Sequence, residues 1–190
     1  MPDQPPRIAP LTPPYEPDIA ALLERWMPPD SGIEPLRLFR TFAVHPELAS
    51  RMRPLGAGIL AKGRVDPRLR EVMIHRTCAL CGAEYEWGVH AVAFGAPLGF
   101  TDAQIESTVS GEFADGLWSR PEELVFRLAD ELHATSTVGD ELFAALREHL
   151  DEAQLMELVI TGGWYHTIAF AIGLARVEPE PWARRFPLAG

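Results

Sequence analysis

The sequence predicts an all-α fold. Three observations carry that reading: apolar residues recur at three- and four-residue spacing, helix-start signals recur along the chain, and no stretch alternates β-branched and polar residues between turn signals. A chain of 190 residues suits one domain, or two small halves sharing a core, and 47% hydrophobic residues supply the material for it.

The elements follow in order. Residues 1–14 carry six prolines, which remove backbone donors and block helix, so this segment reads as an extended arm lying across its own domain or a neighbouring subunit. Ile19, Leu22, Leu23 and Trp26 then have helical spacing until Pro28, Pro29 and Gly32 break it. A second helix is expected over Pro35 to Val44, and a third from about Pro46 to Lys62, ended by Gly63. Asp66-Pro67 is a helix start, an N-cap aspartate before a proline whose φ is already helical, and this helix runs towards Leu80. Gly82 breaks it. The next helix carries Tyr85, Glu86, His90 and Phe94 and stops near Gly95-Ala96-Pro97. Thr101 and Gln104 form a capping box for a short helix through Val109, closed by Gly111. Ser119-Arg120-Pro121 opens an amphipathic helix with Leu124, Val125, Leu128 and Leu132 on its apolar side. Asp140 is expected to cap a helix through Leu150, and Asp151 with Gln154 to cap the last, to about Arg176. The tail after Val177 holds three prolines and reads as irregular.

Composition removes several function classes. A net charge of −10 repels a phosphate backbone, and no run of five basic residues offsets it, so nucleic acid is not an expected partner. Mean hydropathy is near zero. No window approaches the ~18 consecutive apolar residues of a membrane span, and the N-terminus lacks a signal-like apolar stretch. No membrane partner is expected, and the cytoplasm is the expected location. Two cysteines, Cys78 and Cys81, are too few for a secreted disulfide framework.

The segment from Arg70 to His90 concentrates chemistry-bearing residues. Glu86 and His90 are four apart on one helix and share a face; a carboxylate beside an imidazole raises its pKa and orients its ring for acid–base work. Glu71 lies one helix earlier, where a hairpin at Gly82 can fold it against that pair. The bland alternative is a surface helix contact worth a few tenths of a kcal/mol. Tyr85 and Trp87 read first as packing residues, although a buried phenol needs a partner. His75, four after Glu71, either extends the relay or completes a polar cluster. His166 beside Tyr165 stands outside the primary site. A faint internal echo links Arg70–Ile74 with Met156–Ile160, each leading to a Tyr and a His (Tyr85 and His90; Tyr165 and His166), at unequal intervals.

Glu84-Tyr85-Glu86-Trp87-x-x-His90, preceded by Arg70-Glu71 and by His45-Pro46-x-Leu48, resembles the motif region of the carboxymuconolactone decarboxylase and alkylhydroperoxidase D (AhpD-like) superfamily. The likeness extends over most of the chain from about Ile8, with a core domain at 39–111 and C-terminal helices at 119–176. It implies a helical bundle around a helical hairpin, cofactor-free chemistry on a small molecule, and a homo-oligomer, a trimer or hexamer. The peroxidase branch places a glutamate nineteen residues before a histidine, and Glu71 and His90 keep that interval. Its two cysteines would fall at Ala83 and Glu86, and its intervening histidine at Tyr85, so the thiolate nucleophile is missing from its place.

Two enzymatic readings therefore stand beside a silent binding protein. In the first, the resemblance implies a decarboxylase-like enzyme acting on a carboxylated lactone or β-keto-acid-like metabolite: His90, oriented by Glu86, donates the proton, Glu71 and Tyr85 hold or polarise the substrate, and Arg70 or Arg76, with His75, meets its carboxylate. In the second, the displaced Cys78-x-x-Cys81 pair supports thiol-dependent hydroperoxidase activity of the peroxiredoxin type. Both thiols can equally be small buried helix residues. Cys78, Cys81, Glu86 and His90 include metal-ligand types, but their spacing matches no usual zinc module, and no metal is assigned.

Overall fold

The computed structural model describes residues 5–28, 33–112 and 114–187; part of the predicted Pro-Gly break after Met27 and the first residues of the arm lie outside them. The elements are α1 (Pro17–Trp26), α2 (Arg37–Phe42), α3 (Pro46–Ala61), α4 (Pro67–Leu80), α5 (Glu84–His90), a π-helical turn (Ala91–Gly95), α6 (Asp102–Ser110), α7 (Arg120–Thr135), α8 (Asp140–Arg147) and α9 (Glu152–Ala175). No strand occurs among the described residues.

The predicted helix starts form for the predicted reasons. The Asp66 side chain accepts from the Arg68 N–H, and Thr101 with Gln104, Ser119 with Glu122, and Asp151 with Gln154 all close capping boxes. Asp140 departs from expectation. Gly139 is the N-cap and Asp140 is the first helical residue, where its charge still complements the helix dipole; the helix ends at Arg147 rather than Leu150. The α5 segment departs further. Its α-helical geometry ends at His90, and the next residues widen into the π turn, with the Ala96 N–H bonded to the Ala91 carbonyl.

Helix α4 is the axis of the molecule. Leu69 to Cys78 are all buried, so α4 is enclosed on every side by α5, α6, α7 and α9. Val72, Met73 and Ile74 meet Trp87, Leu124, Val125, Leu128 and Leu158 in one core. Helices α1 to α3 gather a smaller cluster around Leu22, Leu23, Ala43 and Ala49. Five polar residues of α4, Arg70, Glu71, His75, Arg76 and Thr77, are sealed inside with the apolar ones. A buried charge needs internal partners, and those partners define the site.

The described parts of the N-terminal arm and of the tail are both tied down. Arg7 and Ile8 donate backbone hydrogen bonds to the Ala175 carbonyl, and Leu11 donates to Arg40, so the arm lies across its own domain. The described tail residues after Ala175 hold no helix, but they are docked: Glu180 accepts from Tyr85 Oη (2.7 Å) and the Arg37 N–H, Phe186 lies against Trp87, and the Arg184 backbone crosses Gly88. A β-carbon at Gly88 would collide with the Arg184 carbonyl, so this approach requires glycine.

The last helix also refines the hydropathy argument. By length and composition α9 could cross a bilayer, yet Leu155, Leu158, Tyr165, Ile168 and Ile172 face the protein core. Its other face leaves Met156, Ile160, Phe170 and Leu174 exposed.

Candidate active site

The hairpin between α4 and α5 brings Glu71 onto His90. Their contact is direct: His90 Nδ1–H donates to Glu71 Oε2 at 2.8 Å. On the other edge of the ring, Nε2 lies 3.0 Å from Tyr165 Oη and 3.6 Å from Glu86 Oε1. Arg70 Nε lies 3.5 Å from the second Glu71 oxygen, and Phe94, from the π turn, stacks on the imidazole with centroids 4.6 Å apart. Glu71 is fully buried, His90 and Tyr165 nearly so.

These contacts set the ionisation states. Burial alone raises the Glu71 carboxyl, but the His90 charge and hydrogen bond, with His75 and Arg70 beyond, bring it below its usual range. Burial likewise pushes the His90 imidazole down, yet the Glu71 carboxylate, assisted by Glu86, carries it up to about 9. His90 is therefore an imidazolium at neutral pH. Its Nδ1 proton is held by Glu71 and its Nε2 proton points at Tyr165 and Glu86. Burial pushes the Tyr165 phenol well above its ordinary value, so it stays a neutral hydroxyl that accepts from His90 and keeps a proton to donate.

His75 is the opposite case. Its Nδ1–H donates to the Glu71 backbone carbonyl at 2.7 Å, its ring stands edge-on to His90 with centroids 6.2 Å apart, and burial lowers its pKa to about 4 against the pull of Glu71. It is neutral, and its buried Nε2 meets no hydrogen-bond partner among the described residues. A β-carbon at Gly95 would crowd Ile105 Cδ1 at 3.0 Å and touch the His75 ring at 3.4 Å, so the glycine of the π turn packs directly over that ring.

The structure assembles Glu71, Glu86 and His90 as the spacing anticipates, with Arg70 beside them. It turns Tyr85 and Arg76 away from that knot, while Cys78 stays within electrostatic reach of Glu86 and Glu71. Tyr85 Oη donates to Glu180 and accepts from the Leu38 N–H at 3.1 Å, so it clasps the tail to α2 and α5 instead of facing substrate. Arg76 turns to Asp130 (2.6 Å) and the Thr108 carbonyl (2.9 Å) over the Phe126 ring, on the α6–α7 side. The carboxylate that Arg76 meets within the fold is therefore that of Asp130. Both cysteines are free thiols: Cys78 is sealed in the core and Cys81 caps α4, half-buried. The residue that sequence reasoning missed is Tyr165. It sits 75 positions from His90, and the signal that could have found it was the Tyr–His echo between the two apolar helices.

Residues 46–131 match the carboxymuconolactone decarboxylase family, and they contain the whole knot except Tyr165. That match spans 86 of the 190 residues and takes in α3 to α6 and most of α7. Solved structures with the same fold superpose over 73–95% of the chain. A peroxidase-related protein from Silicibacter sp. TM1040 aligns with TM-score 0.77 at 11% identity, covering 95% of this chain and 96% of that one. The debrominase Bmp8, as a cysteine-to-alanine variant in complex with 2,3,4-tribromopyrrole, aligns with TM-score 0.75 at 13% identity, covering 93% and 92%. An Agrobacterium tumefaciens protein of unknown function, likened to the antioxidant defence protein AhpD, gives TM-score 0.66 at 15% identity, covering 73% and 94%. No curated protein matches the sequence. At these identities the likeness to solved structures is one of fold.

Proposed function

We propose that this protein is a cofactor-free proton-transfer enzyme acting on a small carboxylated metabolite, with decarboxylation of a lactone- or β-keto-acid-like substrate as its reaction. The observation that carries this reading is the orientation of His90: an imidazolium anchored through Nδ1 on Glu71, with its second proton aimed at Tyr165 and Glu86. Loss of CO₂ leaves the bonding electron pair on carbon as a carbanion or enolate. His90 Nε2–H, directly or through the Tyr165 hydroxyl, supplies the proton that forms the new C–H bond, and solvent reprotonates His90. Arg70 is the cation closest to hand for the substrate carboxylate. Entry is expected over Glu86 and Arg70, whose side chains retain 11% and 9% exposure.

The test is CO₂ release from a panel of carboxylated lactones and β-keto acids, run in D₂O so that the protonated carbon is read by mass. Turnover should insert one deuterium, and Glu71→Gln and His90→Ala should each abolish it with helix content unchanged. Full activity in both variants removes the proposal.

A thiol-based peroxidase is the weaker reading. Burial, reinforced by the Glu86 charge, pushes the Cys78 thiol well above its ordinary value, and burial raises Cys81 as well. The peroxidase-related neighbour is the observation in its favour. Loss of two titratable thiols per chain on hydroperoxide treatment would restore it.

The exposed face of α9, with Met156, Ile160, Phe170 and Leu174, fits the homo-oligomer that the superfamily resemblance implies. Light scattering coupled to size exclusion tests this: a trimer or hexamer is expected, and a monomer ends that part of the reading.

A further inference from the structure

Away from the Glu71–His90 contact, three side chains that the reaction does not use meet at the rim of a cavity. Cys81 is the C-cap of α4, His133 lies in the last turn of α7, and His166 sits in the middle of α9. Their ligand atoms all lie within 4.8 Å of one another. His133 Nδ1 is 3.0 Å from His166 Nε2 and 3.9 Å from Cys81 Sγ. The cavity has a volume of about 720 Å³, and Met73, Thr77, Gly162 and Phe170 are among its other walls. No member of the Glu71–His90–Tyr165 knot lines it.

We propose that Cys81, His133 and His166 form a binding site for a zinc-class divalent cation, with the fourth coordination position open to this cavity. The donor set is one sulfur and two imidazole nitrogens, which suits zinc and its neighbours and excludes the oxygen-seeking magnesium and calcium. Of the two imidazoles, His166 already holds the tautomer the task needs, while His133, whose Nδ1–H donates to it, moves that proton to its own Nε2 when the ion binds. His166 Nδ1–H donates to the Gly162 carbonyl at 2.9 Å, so Nε2 presents its lone pair to the centre, the outer bond that metal-bound histidines ordinarily make. Nitrogen and sulfur ligands at about 2.0–2.1 and 2.3 Å from a tetrahedral metal stand roughly 3.3–3.7 Å apart, and the observed 3.0 and 3.9 Å reach that with small rotations.

The surroundings favour a cation independently of the ligands. Two of the three residues stand at helix C-termini, where the unpaired carbonyls of α4 and α7 carry partial negative charge. No lysine or arginine lines the cavity to compete, and the chain as a whole is at −10. Metal binding must displace the Cys81 proton, so one proton is released per ion and affinity rises with pH. The site stands apart from the proposed proton-transfer reaction: it uses different residues, and either can fail without the other.

Cobalt(II) is the probe, because its thiolate charge-transfer and intense tetrahedral ligand-field bands report the donor set directly. The full-length protein, stripped with chelator and kept reduced, should bind one equivalent of cobalt with both bands, and zinc should displace it. Cys81→Ser should lose the thiolate band, and His133→Ala and His166→Ala should each weaken cobalt binding at least about tenfold. Cys78→Ala should keep the band. His133 is exposed, so its variant reads the site without threatening the fold. The proposal is overturned by a titration with no thiolate band, by weak octahedral bands, by a band that persists in Cys81→Ser or vanishes in Cys78→Ala, or by parent-like affinity in His133→Ala.

Discussion

Two histidine clusters share the scaffold of α4 and α9, and burial makes them different devices. On α9, Tyr165 points inward to His90 and the next residue, His166, lines the open cavity. The inner knot is closed to water, so its charges exist only through one another: Glu71 holds His90 protonated, and His90 holds Glu71 ionised. At the cavity rim, solvent reaches His133, and the cluster is held by hydrogen bonds with no carboxylate among its members. Even inside the knot the partner decides. His75 and His90 are both buried, but a backbone carbonyl leaves His75 neutral while a carboxylate charges His90. A histidine's role follows from what accepts its proton.

The largest effect should come from breaking the inner pair. Glu71→Gln leaves the His90 charge without its counter-ion, so stability should fall by about 3 kcal/mol in urea titration. The His90 titration midpoint followed by NMR should drop from about 9, because Glu86 alone then opposes burial. A midpoint that stays near 9 would mean that Glu86 holds the charge.

Next in size is the contrast between the two tyrosines. Tyr165→Phe removes the acceptor of the His90 Nε2 proton and should cut turnover about a hundredfold. Tyr85→Phe removes the tail clasp and should cost about 1 kcal/mol of stability with turnover unchanged. Reversed outcomes would return Tyr85 to the active site and demote Tyr165.

The pH dependence is gentler and two-sided. His90 is raised above its unfolded value, so its contribution is complete below about 6.5 and is lost as pH climbs through about 9. His75 is depressed, so its contribution is present above about 6.5 and is lost as pH falls through about 4; the lowered Glu71 loses its contribution further down, as pH falls below 4.5. Stability measured by denaturant titration should therefore peak near pH 6.5. A monotonic profile contradicts the opposed assignment of these two histidines.

The smallest effect is expected at the rim. His133→Ala should change stability by no more than about 0.5 kcal/mol without metal, as an exposed side chain does, and should leave proton transfer alone. A collapse of the decarboxylation assay in this variant would join the two clusters into one site.

The sequence by itself determined the helices and the heart of the knot. Capping residues act within one turn, so Asp66, Thr101, Ser119 and Asp151 could be read as helix starts without knowing what packs nearby. Glu71, Glu86 and His90 were legible because one short hairpin carries all three. Side-chain direction was not legible. Only tertiary packing turned Tyr85 to Glu180, drew Arg76 to Asp130, brought Tyr165 across to His90, and gathered Cys81, His133 and His166 from three helices. Local rules reach one turn of helix, whereas these partners are 33 to 95 residues apart and meet only when whole helices pack.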